Sequence, residues 1–235
     1  MPKLLVFTAT YNEVDNVLEW YNRVKKAVPY AHILVVDDNS NDGTRNLLIR
    51  IKNQDKKFNV IFRSRKEGLG SAHKIAFSYM QIYGFTYLLT MDADLSHEPE
   101  SIIKFIKKIP TFDFIIGTRR NGGNSDYQGI RKALSYFANR AAEILLPTGL
   151  SEYTTSFRIF NIKSVQTILQ TVPKDEGYAF FVEIVETLFQ NGLRLTEIPI
   201  NFKVRQSGKS KIPKTQIFSS SVVLLRLKML RIFCK

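Results

Sequence analysis

The segment Ile33-Leu34-Val35-Val36-Asp37-Asp38-Asn39-Ser40-Asn41-Asp42-Gly43-Thr44 shows how this chain of 235 residues is built. Its first four residues are apolar and mostly β-branched, and a short run of this kind before polar residues predicts a buried strand. Residues 41–44 have the composition of a turn, and Leu47, Leu48 and Ile51 follow at helical spacing. A strand, an acidic pair, a turn and a helix therefore follow one another, as in an α/β fold.

Short apolar runs of the same kind recur through the first half of the chain. They predict buried strands at Leu4–Phe7, Val60–Phe62, Tyr87–Met91 and Phe114–Ile116. Amphipathic stretches predict helices over residues 14–28, 71–82, 99–108, 131–146, 163–170 and 179–190. We expect Asn12 or Asp15 to cap the first helix. The alternation predicts a single, largely parallel sheet flanked by helices, and the second half carries fewer strand signals.

The composition is that of a folded, strongly basic protein. The chain has 34 Lys and Arg against 21 Asp and Glu, a net charge of +13, and one cysteine. This charge favours an anionic partner, such as nucleic acid, an acidic membrane surface or a phosphorylated substrate. Nine Lys and Arg, and neither Asp nor Glu, lie in residues 201–235.

The last residues combine this positive charge with apolar side chains. We expect residues 1–212 to form one domain and residues 213–235 to form a helix at an anionic membrane surface. Packing of this helix on the core is the alternative. Leu4–Phe7 is too short for the core of a signal peptide, and the uncharged run 215–225 is shorter than the about 20 apolar residues of a membrane span. A peripheral position on the cytoplasmic face of a membrane follows as an expectation.

A second acidic pair also follows a predicted strand, in Leu88-Leu89-Thr90-Met91-Asp92-Ala93-Asp94. Residues two apart lie on the same side of a strand, so both carboxylates can reach one divalent cation that also binds phosphate. A solvated turn that caps the helix near Pro99 is the alternative. Because ligands of open parallel sheets bind at the carboxyl ends of strands, Asp37-Asp38 and Asp92-x-Asp94 together favour a nucleotide-diphosphate site.

Several familiar motifs are incomplete. His73 stands where the third glycine of a dinucleotide fingerprint belongs, and Lys203 replaces the first glycine of a P-loop that would end at Gly208-Lys209-Ser210. The three histidines show neither the spacing of a catalytic triad nor that of a metal site. The sequence therefore argues against dehydrogenases, P-loop NTPases and a histidine general base.

Six motifs occur in the order found in family 2 glycosyltransferases. They are Thr10-Tyr11-Asn12-Glu13, Asp37 to Thr44, Gly68-Leu69-Gly70-Ser71-Ala72, Met91 to His97, Gly117-Thr118-Arg119 and Arg205-x-x-Gly208-x-Ser210-Lys211. The chain resembles this family from Lys3 to about Ile212 and, within it, the dolichyl- or polyprenyl-phosphate mannosyltransferases. The resemblance implies a GT-A (Rossmann-like) fold and transfer of a sugar from a nucleotide sugar to a lipid phosphate, with inversion at the anomeric carbon.

The resemblance also implies roles for particular residues. The nucleoside would be held by Tyr11, Glu13 and Asp38, with Asp37 beside them. A Mg²⁺ or Mn²⁺ ion on the diphosphate would be bound by Asp92, Asp94 and Ser96. Arg205 would contact the diphosphate, and Lys211 of the same motif belongs to the donor-binding set. The acceptor phosphate would be bound by Arg119, Arg131 and Ser135.

The expected chemistry needs no protein base. A phosphate monoester, with a second pKa near 6, is largely dianionic at neutral pH and is already nucleophilic. The groups expected to position it and to stabilise the leaving diphosphate are Asp94, Arg205, Arg119 and Arg131.

The sequence leaves more than one sugar donor and more than one kind of partner open. GDP-mannose is favoured, but Ser96, Tyr153, Thr155 and Phe181 depart from the family pattern where sugar and acceptor are expected to meet. UDP-glucose or a UDP-N-acetylhexosamine therefore stays open. A membrane-anchoring subunit is a further expected partner. Non-catalytic alternatives are a membrane-binding scaffold and a nucleic-acid-binding module; four acids at strand ends argue against nucleic acid.

Overall fold

The computed structural model describes residues 3–126, 129–171 and 178–203. Arg205, Lys211 and the predicted C-terminal helix therefore lie outside the described residues, as does the side chain of Arg131. The division into residues 1–212 and 213–235 stays a prediction.

Strands and helices alternate through the first half, as predicted. The strands are β1 (Leu4–Thr10), β2 (His32–Asp37), β3 (Phe58–Phe62), β4 (Tyr87–Thr90), β5 (Phe114–Thr118), β6 (Asn124–Ser125), β7 (Arg158–Asn161), β8 (Leu195–Pro199) and β9 (Asn201–Phe202). The helices are α1 (Val17–Ala27), α2 (Thr44–Gln54), α3 (Leu69–Ile82), α4 (Ile102–Lys108), α5 (Gly129–Leu145), α6 (Ile162–Thr171) and α7 (Tyr178–Gln190), and a 3₁₀ turn (Pro99–Ser101) precedes α4.

The main sheet has seven strands in the order β3-β2-β1-β4-β7-β5-β8. The pairs β3-β2, β2-β1, β1-β4 and β5-β8 are parallel, whereas β7 is antiparallel to both β4 and β5. Helices cover both faces, since Leu5 and Phe7 of β1 pack in one core layer and Leu4 and Val6 in the other. The α/β expectation, with a largely parallel sheet, is confirmed.

Three local predictions are wrong. The sequence predicted neither β7 nor β8, and β6 and β9 form a second, two-stranded sheet beside the predicted single one. Neither Asn12 nor Asp15 caps α1, because the helix begins at Val17 after Asn16. Asn12 has a φ of 55° and accepts a hydrogen bond at Oδ1 from the Asn41 N–H (3.0 Å).

The sheet topology brings the candidate residues to one edge. The parallel strands β1, β2 and β4 end there: the Asp38 N–H donates to Thr10 O (2.9 Å) and the Met91 N–H to Phe7 O (3.1 Å). Because β7 runs the opposite way, its first residue, Arg158, lies at this same edge. The loop that precedes β7 therefore meets the loops that follow β4 and β5.

His73 of α3 lies in the core under this edge. It is 2% exposed, and its ring contacts Phe7 and Phe181 edge-on, with centroids 5.0 and 5.1 Å away. Burial lowers the pKa of His73 to about 4, and the proximity of Arg158 contributes to this shift. The neutral imidazole is therefore the folded form at neutral pH.

His73 makes stability pH-dependent. Because the unfolded chain binds the proton near pH 6.5 and the folded chain only near pH 4, its contribution is fully present above pH 6.5 and is lost as the pH falls. We expect a loss of up to about 3 kcal/mol in the free energy of unfolding between pH 6.5 and 4. Urea denaturation of the wild type and His73→Leu tests this. Parallel pH profiles of the two proteins would contradict it.

Candidate active site

The ends of β1 and β2 are joined through a buried carboxylate. Asp37 is 0% exposed; its Oδ2 accepts from Thr10 Oγ1 (2.9 Å) and Ser40 Oγ (2.5 Å), and its Oδ1 from the Ser40 N–H (3.0 Å). The structure thus places Asp37 inside the turn after β2, where it holds the backbone.

Tyr11 and Glu13 lie in the β1–α1 loop, which the turn after β2 holds. The Asn12 N–H donates to Ser40 Oγ (2.8 Å) and the Glu13 N–H to Thr44 Oγ1 (2.9 Å). The Glu13 carboxylate accepts from Asn16 Nδ2 (2.9 Å), and Lys66 Nζ lies 4.4 Å from the centre of the Tyr11 ring. Ser40 and Thr44, for which the sequence predicted no role, therefore position this loop.

Asp38 is paired with a cation that the sequence analysis did not single out. Its carboxylate forms an ion pair with Arg63 and accepts from the Gly68 N–H (3.2 Å). Burial raises the pKa of Asp38 above its ordinary value, and the Arg63 guanidinium opposes this change. Arg63 also donates to Gly68 O (3.0 Å) and Ser71 Oγ (2.8 Å), so the pair secures the start of α3.

The second acidic pair lies in the loop of residues 92–97, called here the Asp92–His97 loop. The Asp92 side chain is 35% exposed and accepts at Oδ1 from Ser156 Oγ (2.6 Å). Asp94 is 4% exposed and accepts at Oδ1 from both the Ser96 N–H (3.1 Å) and Ser96 Oγ (2.6 Å). The structure therefore brings Asp92, Asp94 and Ser96 together in one turn.

This donor set fits a divalent cation that is shared with a substrate. Mg²⁺ is commonly bound through one or two carboxylates and the phosphates of its substrate, with water completing the shell. Asp92 and Asp94 are the carboxylates that we expect to take this role. Within residues 3–126, 129–171 and 178–203, no three His, Cys, Asp or Glu side chains are grouped as a metal site.

Arg119 follows β5 and is paired with the buried Glu152. Its Nε and Nη2 donate to the two carboxylate oxygens of Glu152 (both 2.9 Å), and Nη2 donates to Thr154 Oγ1 (2.7 Å). Burial alone would raise the pKa of Glu152, but Arg119 and the hydrogen bonds from Thr154 lower it to about 2. Arg119 was predicted from its motif, whereas Glu152, the partner that compensates its charge, was not.

Glu152 belongs to the segment of residues 152–156, called here the Glu152–Ser156 loop. Besides Arg119 and Asp92, this loop contacts His97, whose Nε2 lies 3.1 Å from Thr155 Oγ1. His97 is 1% exposed, and burial lowers its pKa. One loop thus touches the residues expected to bind the donor and the residue expected to bind the acceptor.

Arg158 holds the Glu152–Ser156 loop from the core side. It is 0% exposed and donates to three backbone carbonyls, those of Thr155 (Nε, 2.7 Å), Tyr153 (Nη2, 2.6 Å) and Phe181 (Nη1, 3.0 Å). Burial lowers the pKa of Arg158 to about 9, so the guanidinium remains charged at neutral pH.

Helix α5 is attached to the same loop. Asn139 Nδ2 donates to Ser135 O (3.1 Å), and Asn139 Oδ1 accepts from the Tyr153 N–H (2.8 Å). Arg120 reaches α5 through an ion pair with Glu143 (3.1 Å). The structure thereby places the helix of Ser135 next to the loop that binds Arg119.

Two of the departures from the family pattern that left a UDP-sugar as an alternative donor, Tyr153 and Phe181, lie inside the protein. Tyr153 is 0% exposed and Phe181 is 3% exposed. The Tyr153 hydroxyl bonds to Thr148 Oγ1 (2.5 Å), and the Phe181 ring lies 4.6 Å from the Arg158 guanidinium. Both side chains are therefore buried in the protein, and their relation to the sugar and the acceptor stays a prediction.

Comparison with known proteins gives sequence matches along most of the chain. The model of the glycosyl transferase family 2 matches residues 5–169. An undecaprenyl-phosphate mannosyltransferase of Micrococcus luteus is 32% identical over 212 residues, which are 89% of this chain and 87% of that protein. A polyprenol monophosphomannose synthase of Mycolicibacterium smegmatis is 33% identical over 219 residues, which are 92% of this chain and 83% of that protein.

Solved structures share the fold. Glucosyl-3-phosphoglycerate synthase from Mycobacterium tuberculosis, in complex with phosphoglyceric acid, superposes with a TM-score of 0.72 at 15% identity over 97% of this chain and 80% of that chain. A mannosyltransferase from Pyrobaculum calidifontis, in complex with GDP-Man and Mn²⁺, gives 0.62 at 15% identity over 100% of this chain and 65% of that chain.

The chain has the GT-A fold that its sequence led us to expect. The protein is a glycosyltransferase. More particularly, the chain belongs to glycosyltransferase family 2. The expectation of an enzyme, rather than a non-catalytic basic module, is confirmed.

Removing Arg158 is expected to destabilise the fold strongly. Arg158→Met leaves three buried carbonyls without their donor, which we expect to lower the free energy of unfolding by about 3 kcal/mol or more. Arg158→Lys should lose less. The matched control is Arg23→Met, which removes a more exposed ion pair with Glu100 and should cost about 1 kcal/mol or less. Equal losses in urea denaturation of Arg158→Met and Arg23→Met would contradict the role of Arg158.

Proposed function

We propose that this enzyme transfers mannose from GDP-mannose to polyprenyl or dolichyl phosphate, with inversion at the anomeric carbon and with Mg²⁺ or Mn²⁺. The observation that carries the proposal is the Glu152–Ser156 loop, which joins Asp92 on one side to Arg119 on the other. The names of the two relatives above, and the GDP-Man and Mn²⁺ of the Pyrobaculum structure, support the choice of substrates and metal.

On the donor side, the nucleoside is assigned to the loops that Asp37 and the Asp38–Arg63 pair hold in place. Tyr11, Glu13 and Asp38 are the proposed contacts. Asp92 and Asp94, with Ser96, would hold the divalent cation, which when bound neutralises charge on the leaving diphosphate. Arg205 and Lys211, which lie outside the described residues, are proposed to contact the same diphosphate.

On the acceptor side, Arg119 orients the lipid phosphate without removing its reactivity. Glu152 already compensates the Arg119 charge, so a phosphate that hydrogen-bonds to this guanidinium keeps much of its negative charge. A dianionic phosphate oxygen then attacks the anomeric carbon directly, and no general base is needed. Arg131 and Ser135 of α5 complete the proposed acceptor site.

A lipid acceptor also suits the surface of α5. Tyr136, Phe137 and Ile144 are 50%, 67% and 67% exposed, and Lys132 and Arg140 lie exposed on the same helix. Aromatic rings beside cations are typical of protein surfaces that bind anionic membranes. Among the described helices, none is long and apolar enough to cross a bilayer. Peripheral binding at the cytoplasmic face, with the help of residues 213–235 and of a membrane-anchoring subunit, is part of the proposal.

The test of the function is transfer of labelled sugar to a polyprenyl phosphate in detergent. GDP-mannose, UDP-glucose and UDP-N-acetylglucosamine are compared with Mg²⁺, with Mn²⁺ and with EDTA. We expect a lipid-linked mannose from GDP-mannose only, and none with EDTA. Transfer from a UDP-sugar, or full activity in EDTA, would contradict the corresponding part of the proposal.

Asp94→Asn tests the metal site. The substitution keeps the shape of the side chain but removes a charged oxygen ligand, so we expect kcat to fall about 100-fold or more. Asp55→Asn is the matched control, since Asp55 bonds to Tyr21 and Lys25 away from the site. Similar rates for Asp94→Asn and Asp55→Asn at saturating Mn²⁺ would contradict the assignment of Asp94.

Phe137→Ser tests the lipid-facing role of α5. Because this ring is exposed in the free protein, its loss should change stability little and should weaken binding to vesicles by about 5- to 10-fold. The KM for lipid phosphate should rise while the KM for GDP-mannose stays constant. Ile82→Ser, at a 76% exposed position on α3, is the control. Equal vesicle binding by the two variants, in flotation with anionic lipid, would contradict the assignment.

A further inference from the structure

We propose that His97 is a positioning residue that aligns the Asp92–His97 loop with the Glu152–Ser156 loop, and that it does so as the Nε2–H tautomer. The inference rests on the proposed function, because the two loops are assigned there to donor and acceptor. Its evidence is a set of hydrogen bonds that only one form of the ring can make.

The tautomer follows from the partners of the two ring nitrogens. The Asp92 N–H donates to His97 Nδ1 (3.2 Å), and a backbone amide can only donate, so Nδ1 carries no proton. In the neutral ring the proton is then on Nε2, which donates to Thr155 Oγ1 (3.1 Å). One nitrogen holds the backbone of Asp92, and the other holds the side chain of Thr155.

Packing keeps the ring in this orientation. Phe157 and Phe202 have ring centroids 5.1 and 5.2 Å from that of His97, which is 1% exposed. His97 and Phe202 also form an antiparallel backbone bridge, and the Lys203 N–H donates to Ser96 O (2.9 Å). The ring is therefore held between Phe157, which directly follows the Glu152–Ser156 loop, and Phe202 of β9.

The hydrogen bond between His97 and Thr155 matters because the two neighbours of Thr155 in the chain contact Arg119 and Asp92. Thr154, the preceding residue, binds Arg119, and Ser156, the following residue, donates to Asp92 Oδ1 (2.6 Å). Asp92 is thus attached to the Glu152–Ser156 loop twice, through its backbone by His97 and through its carboxylate by Ser156. A shift of His97 moves Asp92 relative to Arg119, and catalysis by orientation is sensitive to displacements of about 1 Å.

His73, which is also buried, provides an internal reference for the tautomer of His97. His73 Nδ1 lies 2.8 Å from Leu69 O, and a carbonyl can only accept, so Nδ1 carries the proton there. His73 and His97 are therefore expected to be opposite tautomers in the same protein. The chain has three histidines, which makes their signals simple to assign.

The first test is the nitrogen NMR spectrum of ¹⁵N-histidine-labelled protein at pH 7.5, without metal or substrate. We expect the Nε2–H tautomer for His97 and the Nδ1–H tautomer for His73, with signals assigned by His97→Phe and His73→Leu. A Nδ1–H tautomer at His97, or rapid exchange between its two tautomers, would overturn the proposal. This readout does not depend on any activity.

The second test separates positioning from folding. His97→Phe keeps a ring between Phe157 and Phe202 but loses both hydrogen bonds, and Thr155→Val loses only the bond to Nε2. We expect His97→Phe to weaken Mn²⁺ binding in the presence of GDP, measured by electron paramagnetic resonance, and to lower kcat by about 10- to 100-fold. His97→Asn, which offers an acceptor to the Asp92 N–H, should recover part of the Mn²⁺ affinity.

The control for histidine removal is His32→Phe. His32 begins β2 and packs edge-on against Phe85 at 5.2 Å, away from both loops, so its Mn²⁺ binding and kcat should equal those of the wild type. Wild-type Mn²⁺ affinity and kcat in a folded His97→Phe would overturn the positioning role. If the wild type itself transfers no mannose, the proposed function fails, whereas the tautomer and the Mn²⁺ affinities still decide the role of His97.

Discussion

The active site depends on one antiparallel strand in an otherwise parallel arrangement. Because β7 runs against β4 and β5, the chain enters it at the edge where the parallel strands end. Arg158, its first residue, uses three donors to hold the carbonyls of Tyr153, Thr155 and Phe181. With the backbone of the Glu152–Ser156 loop held in this way, Glu152 meets Arg119, Thr155 meets His97, and Ser156 meets Asp92.

Local sequence patterns predicted the parallel half of the fold and the position of its acids. Strands such as β1 and β2 are buried on both faces, so they appear as continuous apolar runs, and a polar pair after such a run marks the edge of the sheet. β7 was not predicted from the sequence because its four residues begin with an arginine, which is not expected in a core strand. β8 was not predicted because Thr196 and Glu197 interrupt its apolar residues.

The pairing of charges within the site lies beyond such patterns. Asp38 and Arg63 are 25 residues apart and Arg119 and Glu152 are 33 residues apart, so only the fold brings each pair together. The motifs predicted that Asp38 and Arg119 each bind a ligand, and they predicted no protein partner for either residue. The structure gives both a partner, and this changes their chemistry, since a compensated arginine orients an anion more than it neutralises it.

In the proposed reaction the nucleophile is already an anion, and this places unusual demands on the protein. Without a proton to remove, the protein must bring an anionic phosphate oxygen to the anomeric carbon of a sugar whose leaving group is a negatively charged diphosphate, and it must do so in one orientation. Cations alone would reduce their repulsion at the expense of nucleophilicity. Fixed distances between the donor carboxylates and a compensated arginine meet both requirements. In the proposed reaction, the hydrogen bonds of Arg158, His97 and Ser156 would fix those distances, a role consistent with the buried polar groups that meet at the Glu152–Ser156 loop.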